Sequence, residues 1–280
     1  MGHTRGERFW RQLKRDKLTL VACAFLVLVI AASMLAFLSP YNPTDINLAK
    51  KLLPPCREHL FGTDEYGRDY FTRALYGGRV SLSVGVLAML LSTCIGITVG
   101  AVSGYFGGVV DTMLMRMLDV LLSIPWLILV TVFSLFLSQG FMTVIVVIGC
   151  FSWLQMARII RGEALTLKER EYLLYASSCG QSHLHIILKH ILLPAMPTII
   201  VSSTLNISSA IMMESTLSFL GLGVQQPMAS WGSMLNGAQN NIGIASYLSV
   251  FPGLLIVGTV YSFNRIGEVI RSFVEPISAD

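Results

Sequence analysis

Charge is scarce in this chain: only 13% of its 280 residues are Asp, Glu, Lys or Arg, against 54% hydrophobic. A mean hydropathy of +0.66 excludes an ordinary soluble domain. No Gly-Lys pair occurs anywhere, so there is no G-x-x-x-x-G-K-[ST] loop to cradle phosphates, and a P-loop ATPase is excluded. G-x-S-x-G is also missing, and no buried base accompanies the many serines, which argues against a hydrolase. The five cysteines form no C-x-x-C pair, so neither a disulfide framework nor a cysteine metal site is on offer. His183, His185 and His190 cluster without a carboxylate or Cys at matching spacing, and read as a solvated helix face. There is no short-period repeat and no low-complexity linker. The formal charge of +4 is accounted for by a basic N-terminal flank and needs no nucleic acid as partner.

What the chain has is apolar length. Runs long enough to cross a bilayer, about 17 to 25 residues each, fall near 18–38, 81–104, 118–137, 142–160, 196–222 and 247–267. Six helical spans in lipid follow. Arg5, Arg8, Arg11, Lys14, Arg15 and Lys17 precede the first, which predicts a cytoplasmic N-terminus for residues 1–17. A cleaved signal peptide is the alternative for 18–38, but the run is long and no A-x-A-like site ends it. Six spans then place 39–80, 138–141 and 223–246 outside, and 105–117, 161–195 and 268–280 inside, so both termini are cytoplasmic. Segment 223–246 has no Lys or Arg, in keeping with this topology, whereas the long outer segment 39–80 carries both signs of charge.

A polar island, Glu163 to Pro197, interrupts the apolar runs and is far longer than a turn requires. It reads as a docking surface. Glu171 to Ala176 is free of Pro and Gly, and Glu171 stands where the helix dipole favours an acid. Gly180 breaks that helix, Ser182 is a candidate N-cap, and a second helix over His183 to Leu193 is expected to stop before Pro194 and Pro197. Glu171, Tyr172, Ala176, Gly180, Ser182, Ile186, His190 and Leu192 fall in register with E-Y-x-x-A-A-x-x-x-G-x-S-x-x-x-I-x-x-x-H-x-L-P. This resembles the cytoplasmic "EAA" loop of ABC importer permeases of the dipeptide/oligopeptide/nickel family. Tyr175 replaces the first Ala of the pair, Ser177 stands where Arg is usual, and Pro194 comes one residue late.

Other strings agree in order along the chain. His59 to Arg73 reads H-x-x-G-T-D-x-x-G-R-D-x-x-x-R and looks like the signature opening the family's C-type permease. Along the longer segment His59 to Gly85, Gly62, Gly67, Gly77 and Gly78 read as turns. Gly62, Thr63, Asp64, Gly67, Arg68 and Asp69 form a structural motif, with Asp64, Arg68, Asp69 and Arg73 candidates for an ion-pair network; a compact outer plug and direct substrate contact both remain open. Gly104 to Pro125 resembles the family's turn into the third span. Arg116 and Asp119 there are three apart, share one helix face, and are expected to neutralise each other. Phe263 to Pro276 resembles the family's closing motif, with Glu268 and Glu275 in place of Asp.

Glu214 is the unusual intramembrane residue. An acid at the bilayer centre costs roughly 3 kcal/mol on insertion scales, so it faces protein or water. Two readings stand: a polar group in an outer vestibule, together with Ser218 and Trp231, or a carboxylate that pairs with a partner subunit or the outer segment. Trp231 is expected at the membrane interface.

The resemblance implies an all-α membrane protein with the type-I ABC importer ("MetI-like") fold: a first helix, a segment 39–80 bearing the GTDxxGRD motif, and a core over 81–267 that contains the coupling loop 161–195. It implies a non-catalytic subunit in the bacterial inner membrane, without metal or cofactor of its own. The implied partners are a homologous B-type permease, two cytoplasmic ABC ATPases that hold ATP and Mg, an extracytoplasmic solute-binding protein, and membrane lipid. In that complex the helix at Glu169 to Ser178 enters an ATPase groove, with Glu171 pairing a basic residue and Tyr172 and Ala176 filling the groove, while His190 belongs to the same coupling surface. Di- and oligopeptides are the expected cargo, nickel or a metal chelate the alternative. An ATP-independent channel or secondary transporter is the reading from another class; it calls for inverted repeats or several intramembrane charges, and Glu214 stands nearly alone.

Overall fold

The computed structural model describes residues 16–274; the flank from Arg5 to Arg15, Glu275 and Pro276 lie outside them. Helix α1, Lys17–Met34, starts at Asp16, whose carboxylate accepts the Leu18 and Thr19 backbone N–H groups. A 3₁₀ turn extends it, giving a 22-residue apolar stretch to Leu38. Helix α2, Tyr70–Phe106, runs for 37 residues from the Asp69 cap, which accepts the Thr72 N–H at 2.7 Å. It begins eleven residues before the expected position 81, so the segment before it is shorter than 39–80. Gly77 and Gly78 are not turns: they lie inside α2 because it packs there on its neighbours, and a Cβ on Gly78 would sit 2.2 Å from Ser33 Oγ.

Gly107, at φ +67°, ends α2 and leads into α3, Gly108–Ser123, followed by α4, Trp126–Phe136. The expected continuous third span 118–137 is instead a pair of helices bent by 86°. Pro125 is the cause, since it offers no N–H and pushes Ile124 to extended backbone (φ −92°, ψ 128°). Helix α5, Phe141–Lys168, is the fourth span. Short α6, Glu171–Ser178, leads to α7, His183–Phe219, which starts with one α turn, passes through π-helix over Ile186–Leu192, and continues as α-helix from Leu193. The chain therefore does not stop before Pro194 and Pro197. Seven residues of wider π register let it pass two residues with no N–H to give. Helix α8, Trp231–Ala238, carries a Ser230–Ser233 capping box, and α9, Tyr247–Val274, closes the bundle.

Among the described residues five helices are long and apolar enough to span a membrane, six with the bent pair, and there is no β-strand. The end of the bundle carrying residues 35–69 is the upper end; the one carrying 169–182 is the lower. The most extensive helix pairing is α2 with α5. Gly96, Gly100 and Gly104 of α2 let α5 approach so closely that a Cβ on any of them would come within 2.6 Å of Met156, Ala157 or Ala164. Large apolar side chains on α1, among them Val21, Val27 and Leu28, point outward, as lipid solvent requires.

Candidate functional site

At the upper end the signature residues fold into a closed polar knot. Gly62 and Gly67 both take positive φ, so the loop doubles back, and Gly67 lies against the Asn47 carbonyl where no side chain fits. Asp64 Oδ1 accepts the Tyr66 and Arg68 N–H groups, and its Oδ2 accepts Arg68 Nε at 2.7 Å with Arg73 Nε 3.4 Å from the same oxygen. Asp69 caps α2 and meets His59 Nδ1 at 2.9 Å. Thr63 Oγ1 donates to the Lys50 carbonyl and accepts the Leu53 N–H. All of these charged side chains are buried, so the network is an internal brace and not a set of surface pairs.

Glu214, Ser218 and Trp231 lie together just beneath, with exposures of 0%, 2% and 0%. They do not line an open vestibule. Ser81 Oγ of α2 and Ser218 Oγ donate to Glu214 at 2.9 and 2.7 Å, and the Trp231 N–H donates to Ser81 Oγ at 3.2 Å. Trp231 is a core residue, not an interface one: its Nε1–H donates to the Ala74 carbonyl at 2.9 Å. Its indole plugs the gap that Gly77 and Gly78 leave, which is why an amphipathic ring was drawn inward. The carboxylate is satisfied by hydroxyls, and no cation pairs with it among the described residues.

At the lower end the ion pairs join different helices. Asp119 of α3 meets Arg158 of α5 at 2.6 Å, in place of its i−3 neighbour Arg116, which makes no ion pair among the described residues. Asp111 receives a two-pronged grip from Arg161, at 2.5 and 2.6 Å, because the Gly104 contact brings α2, α3 and α5 together there. Sequence spacing within one helix gave no sign of either partner.

The docking segment has two distinct faces. Leu173, Ala176, Ile186 and Ile191 are buried; Leu173, Ile186 and Ile191 pack with Tyr105 of α2 and Ala164 of α5. Ala176 is 3% exposed and faces its own chain, which corrects its expected place in a partner's groove. Tyr172 and Tyr175 are 44% and 73% exposed, beside exposed Glu171. Gly180, at φ +73°, makes the elbow, and Ser182 Oγ caps the next helix by accepting the His185 N–H at 3.4 Å. The histidines hold the elbow: His183 Nδ1 is 2.7 Å from Tyr105 Oη, and His190 Nε2 is 3.1 Å from Gln181 Oε1. The described residues contain no group of three His, Cys, Asp or Glu able to hold a metal.

Comparison with known proteins returns one architecture. Residues 96–276 match the family described as binding-protein-dependent transport system inner membrane component, and residues 4–55 match the N-terminal TM domain of oligopeptide transport permease C. The dipeptide transport system permease protein DppC of Bacillus subtilis is 40% identical over 269 residues, covering 95% of this chain and 84% of that one. The oligopeptide transport system permease protein OppC of Haemophilus influenzae is 37% identical (96% and 86% covered), and the glutathione transport system permease protein GsiD of Pectobacterium atrosepticum 36% (96% and 90% covered). A solved structure of the MetNI methionine ABC transporter in inward-facing conformations superposes with a TM-score of 0.59 at 19% identity, over 72% of this chain and 96% of that one; it speaks for the fold.

Proposed function

The chain belongs to the binding-protein-dependent transport system inner membrane component family, and on that footing we propose that it carries di- and oligopeptides across the membrane in an assembled importer. It is an inner-membrane permease subunit of an ABC importer, with the MetI-like all-α fold. Peptide as cargo is supported by the dipeptide, oligopeptide and glutathione systems named for its relatives. The translocation path would lie between this chain and a homologous B-type permease. A solute-binding protein would deliver cargo to the upper end. Two ABC ATPases holding ATP and Mg would engage the lower end, and this subunit would supply no catalytic group. The lower end, rich in Arg158, Arg161, Lys168, Arg170 and Lys189, would be cytoplasmic, as would both termini.

The observation that carries this reading is the two-faced docking helix α6: its inner face is buried on α2 and α5, and Glu171, Tyr172 and Tyr175 stand out in water. Those three, with Tyr175 in the place first given to Ala176, would meet the ATPase. Closure of the nucleotide-loaded ATPase pair would push on α6, and the Gly180 elbow would pass the movement to α7. The test is a reconstituted complex with its binding protein. Glu171→Arg lowers both stimulated ATP hydrolysis and dialanine uptake by about tenfold, the scale of one interface hot spot. Gly180→Pro does the same, because proline cannot adopt φ +73°. Unchanged uptake in both variants would remove α6 from the coupling route.

A further inference from the structure

Halfway along α5 stands Gln155. It is exposed, and no described residue hydrogen-bonds to its side chain. Facing it from the middle of α7 is Asn206, whose Nδ2 donates to Ser92 Oγ at 2.7 Å while no described residue donates to its Oδ1. An unpaired amide at mid-membrane depth is costly against lipid, on the order of a few kcal/mol, so this face meets water or a polar partner.

The two amides share one groove. A cavity of about 140 Å³ and an adjoining one of about 410 Å³ both include Ser152, Gln155, Asn206 and Ser209 in their walls. The larger opens at the Pro125 break, where Trp126, Phe151 and Met213 make an apolar side. No charged residue lines either cavity.

We propose that Gln155 and Asn206 form a peptide-bond subsite on the wall of the translocation path. The inference rests on the peptide-importer reading above. A primary amide offers one donor and one acceptor group, the complement of a peptide N–H and C=O. A wall with no charge would hold the backbone of a peptide without selecting for the charge of its side chains. It would also hold weakly, as a path must if cargo is to leave it. The apolar side beside Trp126 and Phe151 would take a cargo side chain.

The test compares two dipeptides in the reconstituted complex with the binding protein saturated by each: Ala-Ala, whose amide has an N–H, and Ala-sarcosine, whose N-methyl amide has none. The wild-type complex is expected to import Ala-Ala faster, and Gln155→Leu to shrink the Ala-Ala to Ala-sarcosine ratio about fivefold, the worth of one neutral hydrogen bond. Asn206→Leu is expected to act in the same direction. Equal handling by the wild type, or equal loss of both substrates in the variants, overturns the subsite. Loss of the second permease on purification of Gln155→Leu overturns it too, since the amide would then be a subunit contact. If the wild-type complex imports no peptide while importing another solute, the peptide reading itself fails, and the subsite with it.

Discussion

The two ends of this bundle both carry ion pairs, but they carry them differently. At the upper end Arg68 and Asp64 are 5% and 3% exposed and each has several partners; at the lower end Arg158 and Asp119 are 51% and 52% exposed and meet once. Buried charges must be fully satisfied or they destabilise, so the upper knot holds a single arrangement. Exposed pairs form and break at little cost. The upper end is thereby built to stay as it is, while the lower end combines the two-pronged Arg161–Asp111 grip with an exposed Arg158–Asp119 pair that tolerates displacement.

Four substitutions break or sharpen this contrast. Asp64→Ala strands Arg68 and Arg73 in the interior and is expected to cost about 3–5 kcal/mol, read as a drop in the unfolding temperature of the purified protein. Trp231→Phe keeps most of the ring volume but removes the indole donor that the Ala74 carbonyl accepts beyond its own helix, at about 0.5–1.5 kcal/mol in the same assay. Arg158→Ala at the lower end is expected to cost under about 1 kcal/mol; a loss as large as that of Asp64→Ala would erase the distinction between the ends. The smallest effect belongs to Asp16, held below the ordinary carboxylate value by the Thr19 hydroxyl and then by Arg265, whose Nη2 lies 2.5 Å away. A lowered folded-state value means that its stabilisation is present above pH 3.8 and lost as pH falls through the lowered value. The stability gap between wild type and Asp16→Asn is therefore expected to be flat near neutrality and to close in acid.

The apolar runs were legible because lipid imposes length and composition on every span. Caps were legible too: Ser182 announces its helix as written. What escaped was whatever depends on a neighbour. Asp119 has a cation three residues back, and nothing local reveals that Arg158 of another helix stands closer. Gly77 and Gly78 look like a turn until Trp231, more than 150 positions away, is seen to fill the space above them. Pro125 was visible, yet the apolar run continued through it, and hydrophobicity does not register a bend. Gln155 drew no notice among its apolar neighbours, since one uncharged amide barely moves a hydropathy average.

The serine cage of Glu214 has a consequence for how the protein is made. Synthesis runs from the N-terminus, so Ser81 of α2 is already in the bilayer when α7 emerges, and Ser218 follows Glu214 by one helical turn. One of the carboxylate's hydroxyl donors is thus laid down earlier and the other travels on its own helix, so both are at hand when α7 enters the bilayer. A carboxylate costing roughly 3 kcal/mol to insert alone is escorted by helices laid down in the right order, and a chain with α2 removed should integrate α7 poorly.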